Sequence, residues 1–292
     1  MNTQDHNRQH KIALINDFSG FGRCSIAVQL PIISTMGIQC CPVPTAIFSD
    51  HTGFESFYSV DFTSHMERYI EEWDKLSLRF EGIVSGFLGS AQQIEIVKSF
   101  LSRFKHQETI VLIDPVMGDY GKLYPSYSLQ LSGQMHELLP YADIITPNLT
   151  EACILTGTTY REEMSDSELE ELCVKLSTPK DGLKAPQKIV ISGLNKEDYL
   201  GNFIFETGKD PKLMLTPRVG KNRSGTGDVF SAIIAADAVN GVDFSESVHH
   251  AASFIAKCLK TSRHLDLPLT DGLCFEEHLY ELGKGKSEHE TN

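Results

Sequence analysis

The chain has 292 residues, 41% of them hydrophobic and 22 of them glycine, enough apolar material for one large α/β domain. Lys and Arg number 26 against 39 Asp and Glu, and the net charge of −13 opposes non-specific attraction to nucleic acid or an anionic membrane, leaving a small-molecule ligand as the better fit. The polar opening MNTQDHNRQHK lacks an apolar run long enough for a signal peptide or membrane span, and the seven cysteines form no C-x-x-C pair; together these predict a cytoplasmic protein without disulfides or zinc knuckles, its thiols mostly buried apolar filler.

Residues 11–16, KIALIN, read as a strand running into the loop D-F-S-G-F-G at 17–22, and the spacing of Ile26, Leu30 and Ile33 predicts a helix over 23–36. Ser25 stands where a dinucleotide fingerprint needs its third glycine, which counts against a nicotinamide-dependent oxidoreductase. Residues 38–47 read as extended but broken by Pro42 and Pro44, and they enter the polar loop F-S-D-H-T-G at 48–53, a place where loops often bind ligand. His51 in that loop reads as a hydrogen-bonded structural histidine before a catalytic one. A helix over 61–78 follows, then a buried strand at 82–86 ending in S-G-F-L-G-S (85–90), and a helix over 91–105. Strand 109–113 delivers D-P-V-M-G, strand 142–146 delivers P-N-L-T-E, and strand 188–191 delivers Ser192-Gly193. Segments 199–205 and 213–216 form a hairpin-like pair, and helices over 229–239 and 244–260 close the chain. Each strand hands over polar residues at its C-terminal end, which predicts an open, mostly parallel sheet with crossover helices and a ligand crevice outside the carboxyl ends of the strands.

The stretch G-K-N-R-S-G-T-G-D-V-F-S-A-I-I-A-A at 220–236 concentrates the chemistry. Gly225, Thr226 and Gly227 open a helix whose first N–H groups lack partners and carry partial positive charge, so a phosphate can approach closely. Asp228 in the first turn can take a proton from a substrate hydroxyl while that anion hole holds a transferring phosphoryl group. Taken alone, the glycines serve a turn and Asp228 the helix dipole equally well. Asp114 and Glu151 each follow a predicted strand of one sheet and suit Mg²⁺, a hard cation that bridges to phosphate oxygens; read separately, Asp114 and Asn148 are turn caps. The combination of anion hole, metal site and base favours phosphoryl transfer, and without a Walker A sequence it is not that of a P-loop NTPase.

The motifs D-x-S-G (17–20), F-S-D-H-T (48–52), S-G-F-L-G-S (85–90), D-P-V-M-G (114–118), T-P-N-x-x-E (146–151) and G-T-G-D (225–228) occur in order over more than two hundred residues. This set resembles the vitamin B6 kinases (pyridoxal, pyridoxine and pyridoxamine kinases) of the ribokinase-like superfamily. The resemblance implies a three-layer α/β/α fold around a central mostly parallel sheet, a single kinase domain over 1–292 with frayed tails at 1–10 and 284–292, and a homodimer. It implies an ATP- and Mg²⁺-dependent transfer to the 5′-hydroxymethyl group of a vitamer, with Asp228 as base and Gly225, Thr226 and Gly227 as anion hole. Asn148, Ser192 and Thr226 would contact nucleotide, Asp114 and Glu151 would organise Mg²⁺ directly or through water, and Thr146 with Asp114 would help hold a monovalent cation such as K⁺. Phe48, Thr52 and Phe87 would contact the ring, and residues 118–125 would form a lid. Asn16 and Asp17 depart from the Ser-His common in pyridoxal kinases; D-x-S-G is closer to hydroxymethylpyrimidine kinases of thiamine synthesis, the main alternative, and an amide and carboxylate there would suit the amine of pyridoxamine. A non-catalytic vitamer-binding protein is the remoter alternative, disfavoured by the intact Asp228 and Glu151.

Overall fold

The computed structural model describes residues 5–125, 127–179 and 182–283. The first half of the chain runs β1 (Lys11–Ser19), α1 (Ile26–Thr35), β2 (Gln39–Phe48), β3 (Ser59–Asp61), α2 (Thr63–Lys75), β4 (Gly82–Ser85), α3 (Ala91–Phe104) and β5 (Ile110–Ile113). Next come the two-residue strands β6 (Gly118–Asp119) and β7 (Lys122–Leu123), α4 (Leu129–Gln134), a 3-10 segment (Met135–Tyr141), β8 (Ile144–Ile145), α5 (Leu149–Thr156) and α6 (Asp166–Ser177). β9 (Lys188–Lys196), β10 (Tyr199–Glu206), β11 (Lys212–Pro217), α7 (Thr226–Val239) and α8 (Phe244–His264) complete the regular elements, and two 3-10 turns follow.

Nine strands form one sheet in the order β11-β10-β9-β8-β5-β4-β1-β2-β3. The six from β9 to β2 pair in parallel, while β10, β11 and β3 are antiparallel additions at the two edges. The period of two is visible in where side chains go: Ala13 and Ile15 join one core, Ile12 and Leu14 the other, and Ile189 and Ile191 separate from Val190 in the same way. One core lies under α2, α3, α5 and α6, the other under α1, α7 and α8, which gives the expected three layers.

Two expectations need correction. Pro42 and Pro44 do not break the second strand, because Gln39 N–H donates to His10 O at 3.0 Å, so Pro42 and Pro44, three and five residues on, turn their missing donors away from β1. Helix α6 was not among the helices expected, although Ser165 and Glu168 form a reciprocal capping box at its start. Of the tails expected to fray, residues 1–4 and 284–292 lie outside the described residues; Asn7 bridges Ser77 O (3.0 Å) and Arg79 N–H (2.8 Å). All seven cysteines are free, and five are buried.

Candidate active site

α7 is apolar on nearly its whole circumference: Val229, Phe230, Ala232, Ile233, Ile234, Ala235 and Ala236 are all buried between the sheet, α1 and α8. Each large side chain so buried contributes about 1.5–3 kcal/mol, which fixes the first turn of the helix in place. Gly225 caps it in the left-handed conformation (φ 82°), and a Cβ there would stand 2.1 Å from Arg23 O, so only glycine fits. Intrahelical bonding begins with Val229 N–H to Gly225 O at 2.9 Å, which leaves the N–H groups of Thr226, Gly227 and Asp228 without partners inside the helix. Gly227 is exposed, and a Cβ added to it would meet nothing within 4 Å, so its face is open to an approaching anion.

Asp228 stands half-buried at this turn, and Asn16 Nδ2 donates to its Oδ1 at 3.4 Å. The Asn16 amide is fully engaged by the protein: Oδ1 accepts from Asp17 N–H (2.9 Å) and Phe87 N–H (2.8 Å), and Nδ2 also donates to Gln29 Oε1 (2.8 Å). Gln29, wholly buried, passes the chain on through Nε2 to Ser231 Oγ at 3.1 Å. Gly86 leaves room for Asn16, since a Cβ there would lie 2.6 Å from the amide. Burial raises the Asp228 pKa, opposed by the Ser25 N–H and Asn16 hydrogen bonds and by nearby His51. Asp17 is pushed up to about 6, chiefly by burial, although Ser25 Oγ–H (2.6 Å) and Ser19 Oγ–H (3.2 Å) both donate to it.

A second group of carboxylates lies at the ends of β5 and β8. Asp114 is buried and its pKa is raised to about 7 by desolvation and by repulsion from Asp228, against the Ser231 and Thr146 hydroxyls. Thr146 Oγ1 is itself buried without a well-formed hydrogen bond among the described residues. Glu151 is raised well above the usual carboxylate range by burial and by Asp114. Its Oε1 accepts from Met117 N–H (3.0 Å) and its Oε2 from Asn148 N–H (2.9 Å), while Asn148 Oδ1 accepts from Glu151 N–H (3.0 Å), a capping box opening α5. The turn-cap reading of Asn148 therefore holds as a structural fact.

Beside these carboxylates lies a cavity of about 250 Å³ whose lining includes the polar Asn148, Ser192, Thr226 and Gly227 and the apolar Phe230, Ala252 and Ile255. Residues 118–125, expected as a lid, hold the hairpin β6–β7, which brings Asp119 and Tyr120 to the cavity lining and is tied down by Gly121 N–H to Thr150 Oγ1 (2.8 Å) and Asn148 Nδ2 to Gly118 O (2.8 Å). The rings of Phe48 and Phe87 meet edge to face at 6.2 Å, and the Asn16 amide that donates to Asp228 also accepts from Phe87 N–H. Tyr127, which sequence reading did not single out, packs on Phe87 at 5.9 Å. Thr52 is exposed on the turn after His51. His51 has both ring nitrogens occupied, Nδ1 by Gly53 N–H (3.0 Å) and Nε2 by Thr270 O (2.8 Å), which is the bracing role expected of it. Gln29 and Ser231 were also missed, since nothing local marks either as polar wiring.

The sequence matches the phosphomethylpyrimidine kinase family over residues 26–269. The chain belongs to that family. A Bacteroides thetaiotaomicron protein described as a phosphomethylpyrimidine kinase is similar to this family member at 32% identity and a TM-score of 0.89, with 96% of each chain covered. An orthorhombic crystal form of that protein with pyridoxal superimposes with a TM-score of 0.87 at 32% identity, over 94% of this chain and 96% of that one. The pyridoxal kinase of Actinobacillus pleuropneumoniae is 27% identical over 75% of this chain and 78% of its own length. A Staphylococcus aureus hydroxymethylpyrimidine/phosphomethylpyrimidine kinase is 31% identical over 61% of this chain and 62% of its own. The family member has the ribokinase-like fold of these kinases.

Proposed function

We propose that this chain is an ATP-dependent kinase that phosphorylates the 5′-hydroxymethyl group of a vitamin B6 vitamer in the cytoplasm, as a homodimer. The observation that carries the reading is the turn at Thr226–Asp228, whose helix N-terminal N–H groups have no intrahelical partner, where Thr226 and Gly227 line the cavity and the next residue, Asp228, is a carboxylate held by Asn16. The Bacteroides relative crystallised with pyridoxal supports the choice of vitamer.

Asp228 accepts the hydroxymethyl proton as the oxygen attacks phosphorus, and its raised pKa brings its basicity closer to that task than an ordinary carboxylate's. The free N–H groups of Thr226, Gly227 and Asp228 hold the phosphoryl oxygens as charge spreads onto them, so transfer is in line and direct, without a phosphoenzyme. Asn16 aims Asp228 rather than touching the vitamer, since all four of its hydrogen-bonding places face protein. Phe48, Phe87 and Thr52 flank the ring, and Asp17 is left as the polar group nearest an amine-bearing vitamer. Asn148, Ser192 and Thr226 line the cavity for the nucleotide, and the β6–β7 hairpin limits water, whose attack would be the competing reaction.

The carboxylates fit a divalent cation. Asp228's charge raises the Asp114 pKa and Asp114's charge raises that of Glu151, no lysine or arginine among the described residues relieves either, and Thr146 Oγ1 is buried beside Asp114 without a well-formed hydrogen bond among the described residues. Such an all-oxygen set suits Mg²⁺, and Asp114 with Thr146 suits a monovalent cation such as K⁺. Both Glu151 oxygens already accept backbone N–H groups, which favours its contact through water. A divalent cation held by these residues would supply positive charge against the phosphate oxygens.

The test is ADP release with ATP and Mg²⁺ and, in parallel, pyridoxal, pyridoxine, pyridoxamine and hydroxymethylpyrimidine. Turnover with vitamers and little with the pyrimidine is expected. Turnover with the pyrimidine alone would move the chain to the second reading, thiamine synthesis, which the family match and the Staphylococcus relative favour.

A further inference from the structure

The cavity is lined by one buried polar side chain that no described residue engages. Asn202 lies on β10 and by its parity shares the sheet face of Leu200 and Ile204, pointing toward α8, where the cavity is lined by Phe230, Ala252 and Ile255. The residue is only 6% exposed, yet its amide makes no hydrogen bond among the described residues. Its side-chain atoms are also absent from those sealed off without a partner, so the amide is reached from the cavity. An amide that the protein leaves unpaired at a cavity wall is available to a ligand that can match its donor and acceptor.

The geometry points to Asn202 as the residue that reads the edge of the nucleobase, and to a site that takes 6-amino and 6-keto purine nucleotides alike. This rests on the kinase reading above. The polar part of the same lining is Asn148, Ser192, Thr226 and Gly227, so a nucleotide with its phosphates there puts its base against the apolar lining of Phe230 and Ile255, where Asn202 is the buried polar group. An amide offers a donor and an acceptor side by side. Adenine presents an N6–H donor beside the N1 acceptor, and a 6-keto purine presents an O6 acceptor beside the N1–H donor. Strict choice between them needs a second protein group that fixes which end of the amide is oxygen. Among the described residues Asn202 has no such anchor, so it turns over to match either edge at the cost of one rotamer change.

The experiment compares ATP with inosine triphosphate, which differs at the six position and lacks the bulk of guanine's 2-amino group, using the wild-type enzyme and Asn202→Leu. In the wild type, kcat/KM for inosine triphosphate is expected within about tenfold of that for ATP, because the pair of hydrogen bonds is kept. In Asn202→Leu both fall about 10- to 100-fold through KM for nucleotide, while KM for the vitamer is unchanged. A wild-type preference for ATP above about a hundredfold, or nucleotide KM values unaltered by the substitution, would overturn the assignment. ADP and inosine diphosphate binding by calorimetry repeats the comparison without turnover, so a wrong acceptor would silence the kinetics and leave this result standing. If Asn202→Leu fails to fold, Asn202→Ala takes its place, with the same fall for both nucleotides expected and an unaltered nucleotide KM again overturning the assignment.

Discussion

Replacing Asp17 by Asn should stabilise the protein, and by an amount that grows with pH. Burial and the charge of Asp228 move the Asp17 pKa from 3.8 to about 6 in the folded state. In acid below 3.8 the group is neutral whether folded or not, and it costs nothing. As pH rises from 3.8 to 6 the unfolded chain ionises first, so the folded state loses ground, and above 6 the loss is complete. A shift of about two units corresponds to about 3 kcal/mol at pH 8, and the same linkage gives about 1 kcal/mol at pH 4.5. The replacement amide keeps a carbonyl for Ser25 Oγ–H, and the Ser19 hydroxyl can rotate to accept from its new N–H group. Urea unfolding of both proteins at pH 4.5, 6 and 8 isolates the effect, since titrating groups that do not interact with Asp17 cancel in the difference. An advantage that rises by about 2 kcal/mol across that range is expected. A difference independent of pH would refute the argument that Asp17 is a buried acid held above its natural pKa.

Asp228→Asn should lower kcat by about 10²- to 10⁴-fold with little change in nucleotide affinity, and unchanged turnover would remove the residue from the mechanism. In the wild type, kcat/KM should fall on acidification at a pH above the usual carboxylate range, because burial raises the Asp228 pKa; a pH profile checks this. Gly225→Ala forces a Cβ against Arg23 O in a left-handed conformation, so a loss of about 1–3 kcal/mol in thermal unfolding is expected together with a raised KM for ATP. Gln29→Met keeps the volume but strips the partners of Asn16 and Ser231, at about 1–3 kcal/mol, and should lower kcat more than it raises KM for the vitamer. Equal kcat in that variant would make the buried chain purely structural.

What could be read from sequence was local. Period-two strands, the apolar run of α7 and the glycines around Thr226 each declare themselves within a dozen residues, and the sheet and the glycine turn that opens α7 follow from them. What escaped is joined over long distances. Gln29 sits in an apolar-looking run and its partner Ser231 is 202 residues away, just as Asn16 meets Asp228 across 212. Asn202 looks like an ordinary strand residue until α8 is laid over it. The prolines of β2 misled for the opposite reason: their local meaning as breakers depends on whether the side they disarm has a neighbour.

That outer side of β2 bears on how the protein behaves in a crowded cell. β3 covers only Ala46 to Phe48, so the stretch before it would present an open strand margin, a template on which another extended chain could grow. Pro42 and Pro44 offer no N–H there, and the Pro42 carbonyl is taken by Tyr69 OH at 3.0 Å. A newly made neighbour meeting this margin finds neither a donor at Pro42 and Pro44 nor a free carbonyl at Pro42, so the central sheet is guarded on that flank against becoming a seed for aggregates.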